Sequence, residues 1–471
     1  MHSTTWFNYC AVGYFIALFI LIANLAGRRE SWRKAAVVTV ALSFLSQTIG
    51  MVFRWGEAGD VEVAATERAT GLVLDGWTHF VVYTQHPPWS NLYEIMVFMS
   101  WGVVLVYMVT EVKWRIPAAG IFALLLSLLS LGLASLTTDT DIKPLVPALQ
   151  SWWIHVHVIS ASVAYSAGTI GAVTSLIYLV AAKDKLTLRT LAAGTLVVSA
   201  VLTFILGRGI QLFTTGQYRV KLLKEMGGEM VPVGRMVQDK FAAYYLASPN
   251  VGPLLAATLI ASVLGALYIW HTRRDSDIPT GKAKWAWFIP FGLLTATMGL
   301  MLFNNTTMTQ VEVAPDLAAQ LMPPGPWRLA MQSNQWDLSL FAIVWGAQLF
   351  VTICVLSPAR ARSVLPSAEK MDRVSYYTIM IAFALVAVVL VTGALWAHYA
   401  WGRYWAWDPK ETGALVIWIN YAIYLHTRMT YGWVGVPSAV IGILGFFIII
   451  AGFLGVNLGW FAEGLHSYGS S

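Results

Sequence analysis

Residues 401–411 read WGRYWAWDPKE, and this stretch lies between two apolar segments of roughly membrane-spanning length. From Trp396 to Trp407, four tryptophans and two tyrosines fall within twelve residues, whereas 22 Trp in 471 residues predict about 0.6 Trp in such a window. The aromatic belt of membrane proteins is one explanation, but a belt spreads tryptophan over many helix ends. Four in one loop indicate instead a flat aromatic platform at a membrane face, which suits a large planar ligand.

The composition predicts an all-α fold, a polytopic integral membrane helical bundle. Hydrophobic residues make up 57% of the chain and charged residues 11%, against about 25% charged residues in a soluble domain. We attribute the formal charge of +6 to asymmetry between loops and not to nucleic-acid binding. About twelve transmembrane helices are predicted, at residues 6–26, 35–53, 91–110, 116–136, 152–182, 190–206, 254–270, 285–303, 337–357, 374–394, 411–426 and 437–456.

The distribution of lysine and arginine orients these segments in the membrane. With the N-terminus outside, the predicted cytoplasmic loops hold 18 Lys and Arg in 60 residues, and the outward loops hold 12 in 165 residues. Short cytoplasmic loops are enriched in positive charge. Both termini and the loop at 395–412 are therefore predicted to face outward, to the periplasm or an equivalent lumen.

Three parts are predicted along the chain. Residues 1–183 and 369–471 form the two parts of a haem-handling membrane domain, and residues 184–368 are an inserted segment of about four spans. The outward loops of the inserted segment are 207–253 and 304–336. The longer loop is mixed in charge and could form a small helical cap.

The sequence argues against several kinds of chemistry. Cys10 and Cys354 lie inside apolar segments, and the chain contains no Cys-x-x-Cys, so thiol redox chemistry and thiolate metal sites are not expected. No phosphate-binding Gly-x-x-x-x-Gly-Lys-Ser/Thr motif and no barrel-like alternation occur. The first apolar run, 6–26, lacks a basic start and a small-residue cleavage site, so we read it as a retained span.

Two histidines are predicted on the outward side with the aromatic loop. His157 opens the fifth predicted span, and His466 lies in the last outward segment. Imidazole is a standard axial ligand of haem iron, so these side chains could hold one haem from above and below. They could also be two independent interfacial histidines. His155 is two residues from His157 and therefore points to another face of the helix.

A third histidine, His426, is predicted to lie deep in the membrane. It follows Glu411 by 15 residues, or roughly 22 Å along a helix, toward the cytoplasmic end of a ~30 Å core. Ionisable residues inside a membrane are functional candidates. The alternative is a histidine of the cytoplasmic interface beside Arg428.

The motif at 408–411 has a structural explanation and a functional one. Asp408 is predicted to be a helix N-cap, with Pro409 at the first helical position and Glu411 completing a capping box. Arg403 and Lys410 are in addition cations beside the aromatic platform, where they could meet the propionates of a haem. The two explanations are compatible.

Four blocks of the sequence resemble the CcsA/ResC family of system II cytochrome c biogenesis, within the wider group of tryptophan-rich (WWD domain) haem-handling membrane proteins. They are NLYE at 91–94, the block 149–158 that contains His157, the block 401–426, and GLHSYG at 464–469. The ending WDPKE, with YLH and LHSYG downstream, is similar to CcsA in particular. The resemblance covers roughly residues 1–182 and 371–471.

The resemblance implies roles for individual residues. His157 and His466 would ligate haem iron on the outward face, and His426 would bind haem during its transport from the cytoplasmic side. The remaining cofactor-binding candidates belong to the aromatic loop that would cradle the macrocycle: Trp401, Arg403, Trp405, Trp407, Asp408 and Lys410.

The resemblance also implies partners and a place in the cell. The expected substrate is haem b, held transiently, and the expected client is an apocytochrome c, whose Cys-x-x-Cys-His thiols add across the haem vinyl groups. The expected partner is a CcsB/ResB-like membrane subunit, with a thiol-reducing protein as a further candidate. Together they would form a holocytochrome c synthase of lyase type in the bacterial inner (cytoplasmic) membrane, with the haem site on the periplasmic face.

Two departures from the family pattern leave alternatives open. Roughly 185 residues separate the His157 segment from the block at 371–376, which normally follows it soon. The family also takes a second inner haem ligand from the CcsB/ResB partner, for which His271 is an internal candidate here. One alternative is a haem-binding delivery or assembly protein without ligase activity. Another is a non-haem transporter or structural subunit whose aromatic loop is only an interfacial anchor.

Overall fold

The computed structural model describes residues 2–137, 142, 144, 151–182, 185–206, 216, 218–226, 229–237, 240–248, 250–271, 283–306, 329–331, 341, 344–346, 348–352 and 363–457. Helices dominate this part of the chain. Their bounds are α1 Ser3–Gly27, α2 Glu30–Thr70, α3 Gly76–Gln85, α4 Leu92–Trp114, α5 Pro117–Thr137, α6 Trp153–Ala181, α7 Lys185–Leu206, α8 Val251–His271, α9 Ala283–Thr306, α10 Ala368–Trp401, α11 Pro409–Thr430 and α12 Val436–Asn457.

The predicted class, a helical polytopic membrane protein, is confirmed. Within the described residues, α1, α2, α4, α6, α8 and α10 are long and apolar enough to cross a membrane, and shorter apolar helices lie in α5, α7 and α12. Eleven of the predicted spans coincide with these helices, α9 and α11. The span at 337–357 lies partly outside the described residues, so the total of twelve stays a prediction.

The chain forms two compact units. One consists of Met1–Ala182 together with Ala361–Ser471, and the other is Lys183–Arg360. Apart from His271, the described candidate site residues lie in the first unit. Its core combines buried side chains of α6, α10, α11 and α12, among them Ala164, Ile379, Tyr421 and Ile449.

In the described part of the chain, five short strands lie between α7 and α8, and a sixth lies after α9. β1 (Arg219–Met226) pairs antiparallel with β2 (Glu229–Pro232), β5 (Tyr245–Ala247) and β6 (Leu329–Met331). β3 (Gly234–Val237) and β4 (Lys240–Ala243) form a separate antiparallel pair, in which Gly234 is opposite Ala243. The expectation of a helical cap at 207–253 is therefore wrong. The mixed charge of this loop fits strands with one solvated face as well as it fits a helix.

Helices α6 and α10 pack antiparallel, with small residues at the contact. At the end that carries the start of α6, Ile154 packs against Trp396, and at the other end the Ser175 and Ser375 hydroxyl oxygens are 2.6 Å apart. A Cβ added at Gly171 would lie 2.6 Å from Ile379. Small residues let membrane helices approach closely, so this pairing fixes which residues of α10 face the outward end of α6.

A buried polar network joins the interior of α2 to the start of α4. Arg54 and Glu94, 4% and 1% exposed, form an ion pair in which Nε donates to Oε1 at 2.9 Å. The other Glu94 oxygen accepts from the backbone N–H and the hydroxyl of Ser90. The Ser90 hydroxyl is also 3.0 Å from Nε2 of the buried His86, whose Nδ1 is 3.1 Å from Glu62. Because removing one partner would leave the other charge buried, this network holds the two helices together.

Candidate functional site

The aromatic loop, residues 402–408, connects the C-terminal end of α10 to the start of α11. Gly402 ends α10 in the left-handed conformation, φ 71°, and its N–H bonds to the His398 carbonyl at 2.8 Å. Trp407 is also left-handed, φ 58°, although its side chain is 71% exposed. A bulky residue in this region costs of order 1–3 kcal/mol and marks candidate functional positions.

The predicted capping box at the start of α11 is confirmed. The Asp408 carboxylate accepts from the Lys410 N–H at 2.9 Å, and Pro409 is the first helical residue. The Glu411 carboxylate accepts from the backbone N–H groups of Asp408, at 3.3 Å, and Ala406, at 2.8 Å. The same two carboxylates that cap the helix therefore also fix the path of the aromatic loop beside it.

His157 lies on the face of α6 that packs against α10. Its Nδ1 is 3.0 Å from the backbone carbonyl oxygen of Val389, with the Thr392 hydroxyl 3.4 Å away. A carbonyl only accepts hydrogen bonds, so Nδ1 carries the proton, and in the neutral ring Nε2 carries the lone pair. Imidazole ligates iron through such a lone pair, and a hydrogen bond from the other nitrogen is the usual orienting contact of a histidine ligand.

Tryptophan and glycine of α10 frame the His157 ring. The Trp396 ring centroid is 5.7 Å from that of His157, and the Trp401 centroid is 5.5 Å from that of Trp396. A Cβ at Gly393 would lie 2.9 Å from Cε1 and 3.2 Å from Nδ1 of His157. The absence of a side chain at Gly393 therefore makes room for the imidazole. The structure thus brings together His157 and two tryptophans of the predicted cluster.

Further aromatic side chains line the loop itself. Trp405 and Trp407 pack edge to face with centroids 5.7 Å apart. The His398 ring lies flat on Tyr404, with centroids 4.3 Å apart and planes 7° apart. Sequence analysis missed His398, although it falls inside the aromatic stretch 396–407. A histidine three residues before a helix end, next to a tyrosine-bearing loop, was the available signal.

The two predicted cations of the loop differ in environment. Arg403 is exposed on the loop. Burial lowers the pKa of the Lys410 ammonium to about 7, and the Asp408 carboxylate opposes this shift. Lys410 therefore changes its charge near neutral pH, and an anionic ligand beside it would favour the charged form.

His155 occupies the opposite side of α6, as the sequence predicts. Its ring centroid lies 6.2 Å from that of Trp55, 5.9 Å from that of Trp89 and 6.3 Å from that of Trp152. Its Nδ1 is buried and makes no hydrogen bond to any residue that the structure describes. The surroundings of His155 thus differ from those of His157, although both have tryptophan neighbours.

Of the other histidines considered as iron ligands, the structure describes His426 and His271, and neither lies beside His157. His426 is exposed, four residues before the end of α11 at Thr430, and its ring lies edge to face with Tyr431 at 5.8 Å. It therefore lies toward the opposite end of α11 from Asp408. His466 lies outside the described residues. The candidate His271 is the last residue of α8, in the second compact unit.

A cavity of about 400 Å³ lies at the end of the helix bundle away from the aromatic loop. Arg428 lines it, donating to both carboxylate oxygens of Asp372 and lying 5.0 Å above the Tyr376 ring. Its size suits a small-molecule ligand. Its acidic residues, Glu369 and Asp372, balance Arg373 and Arg428 in number, so charge alone selects neither anion nor cation.

Comparison with known proteins assigns the sequence of this chain to one family. The profile of the family described as cytochrome c assembly protein matches residues 89–226 and 251–466. Three relatives are named cytochrome c biogenesis protein CcsA. The one from Nostoc sp. is 29% identical over 390 residues (81% of this chain, 80% of that protein). Those from Prochlorococcus marinus NATL1A and Gloeobacter violaceus are each 26% identical, covering 98% and 96% of this chain and 94% and 97% of the relatives.

The last two alignments extend across residues 184–368. A segment at this position is therefore shared with those relatives. The solved structure of cytochrome c haem lyase CcmF aligns with 99% of this chain and 73% of that chain, at 13% identity and a TM-score of 0.34. A structural similarity this low does not indicate a shared function. The family match covers most of the sequence, and we conclude that this chain belongs to the cytochrome c assembly protein family, among its CcsA members.

Proposed function

We propose that this protein holds haem at its outward face and presents it for thioether attachment to apocytochrome c. The observation that carries the proposal is the hydrogen bond between His157 Nδ1 and the Val389 carbonyl. It sets the imidazole in the tautomer that ligates iron, beside the Trp396 ring and at the entrance to the aromatic loop. The family membership supports a role in cytochrome c maturation.

The residues of the chain supply position rather than bond chemistry. The haem is the substrate, with His157 as one axial ligand and His466 as the other. Trp401, Trp405 and Trp407 pack against the macrocycle, while Arg403 and Lys410 pair with its propionates. The loop conformation that presents these side chains depends on the carboxylates of Asp408 and Glu411. Holding two reactants in line can supply much of the rate enhancement of such a reaction.

The attachment of client to haem is an addition reaction that needs no external oxidant or reductant. Each client thiol adds across one vinyl group: a C–S bond forms, the S–H bond breaks, and the hydrogen ends on the neighbouring vinyl carbon. A reduced client is required, and a thiol-reducing protein would supply it. The client histidine then replaces a protein ligand on the iron, which favours release.

The proposal extends to location and partners. The protein lies in the inner membrane of a bacterium with the aromatic loop facing the periplasm, and it acts with a CcsB/ResB-like subunit. Haem b reaches the outward site from the cytoplasmic side by way of His426. The exposed position of His426 at the end of α11 is compatible with an entry site shared with a second subunit.

The first test is an absorption spectrum of the detergent-purified protein from haem-replete cells. We expect a Soret band with sharp reduced α and β bands in the wild type. His157→Ala and His466→Ala should each lose haem or convert it to a high-spin form. Haem retained unchanged in both variants would move the site elsewhere, and absence of haem from the wild type co-expressed with its partner would contradict the proposal.

A second test separates ligation of the client from haem delivery. A reduced peptide with Cys-x-x-Cys-His is incubated with the haem-loaded protein, and covalent haem is detected on the peptide after denaturation. Covalent haem on this peptide but not on a Ser-x-x-Ser-His control supports attachment. Transfer of haem without a covalent bond would favour the alternative of a delivery protein without ligase activity.

A further inference from the structure

Helix α2, with 41 residues, is about twice as long as a membrane span requires, and it ends in a hairpin with α3. Its exposed apolar side chains stop at Phe53, and Arg54, Glu57 and Asp60 follow. From Arg54 to Thr70 the helix rises roughly 24 Å, at 1.5 Å per residue. A tilt of 40°, the upper end of the usual range, still leaves about 18 Å.

Helix α3 folds back against this extension and is firmly placed. A Cβ at Gly59 would lie 2.7 Å from the Tyr83 ring and carbonyl, so the two helices nearly touch there. Nearer the tip, the Leu74 N–H donates to Glu67 at 2.8 Å. Gly71, with φ 70°, and Gly76, with φ 46°, allow the turn between the helices. These contacts give the turn between α2 and α3 a defined conformation.

The hairpin tip exposes large apolar side chains. They are Leu72 (67% exposed), Val73 (88%), Trp77 (75%) and Phe80 (53%). We call these four residues the hairpin tip. The Trp77 and Phe80 rings are stacked, with centroids 5.4 Å apart. Rigid, exposed aromatic side chains of this kind are enriched among residues that dominate binding energy at protein interfaces.

Lipid does not account for this exposure. In the hairpin, Gly59 lies beside Tyr83, and Glu67 lies beside Leu74. Trp77 is therefore roughly level with residue 65 of α2, about 16 Å along the helix from Arg54. The headgroup layer adds only about 5–8 Å outside the hydrocarbon core. Trp77 therefore lies above the depth at which tryptophan anchors a membrane protein.

The charge of the hairpin indicates the kind of partner. Residues 55–85 contain five acidic residues and a single basic one, Arg68, although the whole chain carries a formal charge of +6. Asp75 is exposed in the turn beside the apolar tip, and Asp60 is exposed nearer the base of the hairpin. Such a surface attracts a polypeptide that presents lysine or arginine next to an apolar anchor.

We propose that the hairpin tip is the docking surface for a basic client polypeptide. On the proposed function this client is the unfolded apocytochrome chain. The base of the hairpin adjoins the outward end of α6, because the Trp55 and His155 rings are 6.2 Å apart. A client held at the tip is thereby kept near the helix that carries His157. The identity of the client rests on the proposed function; the docking itself does not.

Peptide binding to the full-length protein in nanodiscs tests this. The probes are 20-residue peptides with a non-reactive Ser-x-x-Ser-His centre, flanked in one by lysines and aliphatic residues and in the other by glutamates and the same aliphatic residues. We expect the lysine peptide to bind more tightly and in a salt-dependent manner. The double variant Trp77→Ala/Phe80→Ala should weaken its binding at least about tenfold, and Asp60→Asn/Asp75→Asn should flatten the salt dependence.

Controls keep the docking test independent of the haem proposal. Trp433→Ala removes a 46% exposed tryptophan after α11, and it should bind the peptide like the wild type. The haem spectrum of each sample is recorded separately: unchanged haem with weakened binding supports docking. Equal binding by wild type and Trp77→Ala/Phe80→Ala overturns it, whatever the haem content.

A second measurement addresses the membrane directly. A fluorescent label at Thr78→Cys is exposed to quenchers in the aqueous phase or on lipid headgroups. Quenching from the aqueous phase, relieved by the lysine peptide, supports the proposal. Strong quenching by labelled lipid would show that the tip rests on the membrane, and would overturn it.

Discussion

His155 and His157 lie two residues apart on α6, yet their surroundings differ. The His157 ring donates to the Val389 carbonyl and packs near Trp396. The His155 ring lies among Trp55, Trp89 and Trp152, and its buried Nδ1 has no hydrogen-bond partner within the described residues. Aromatic neighbours alone therefore do not distinguish the two rings. They differ at Nδ1, which contacts a carbonyl of α10 in His157 and has no hydrogen-bond partner within the described residues in His155.

The largest expected difference between the two histidines concerns haem. His157→Gly should release most of the haem or make it high-spin, whereas His155→Gly should leave the spectrum close to that of the wild type. Imidazole added at millimolar concentration should restore low-spin bands to His157→Gly. Equal loss in the two variants, or restoration only in His155→Gly, would reverse the assignment.

The next largest effect is expected at Gly393, which faces only His157 of the two rings. In Gly393→Ala the new Cβ would crowd Cε1 and Nδ1, so the ring must shift by a few tenths of an ångström. We expect a smaller low-spin fraction and weaker haem retention, short of the loss in His157→Gly. Gly132→Ala is the matched control, since a Cβ there meets nothing within 4 Å and should stabilise α5 by up to about 1 kcal/mol.

A moderate, pH-dependent effect is expected from Lys410 on the His157 side. Its pKa is about 7 in the haem-free protein, and a propionate would raise it. Haem affinity should therefore be full below pH 7 and fall as pH rises above 7, until the raised pKa of the complex is passed. Haem titrations between pH 7 and 9 measure this. In Lys410→Arg the charge persists and the decline should disappear; an identical decline would exclude Lys410.

The smallest expected effect concerns stability. His155→Phe keeps an aromatic ring among the same tryptophans and removes the buried Nδ1, which has no hydrogen-bond partner within the described residues, so the free energy of unfolding should change by less than about 1 kcal/mol. His157→Phe removes a donor from the Val389 carbonyl and should cost about 1 kcal/mol more. Thermal unfolding in detergent compares the two. A larger loss in His155→Phe would mean that its nitrogen has a partner in the membrane-embedded protein.

Short-range features of this protein were predictable from sequence. The capping box at Asp408 and Glu411 depends on residues three apart, and spacing alone determines it. Likewise Asn91 caps α4, accepting from the Glu94 N–H at 2.9 Å. Glu94, however, turns to Ser90 and Arg54, which the local motif does not indicate.

Long-range features were not predictable. The partner of His157 is a backbone carbonyl 232 residues away, and no side-chain pattern marks it. The second span was placed at 35–53, where apolar residues stop, but α2 continues to Thr70. Polar residues solvate a helix outside the membrane as well as they solvate a loop, so hydropathy could not show the extension.

The ion pair between Arg54 and Glu94 can form only after the ribosome has synthesised both residues. Forty residues separate the partners, and at 5–20 residues per second a ribosome needs about 2–8 s to make them. During this time Glu57, whose Oε2 lies 4.0 Å from Nη1 of Arg54, is already present, but the buried carboxylate of Glu94 is not. Nascent chains that stop before Glu94 should accordingly be cleared by membrane proteases, while chains that reach the end of α4 persist.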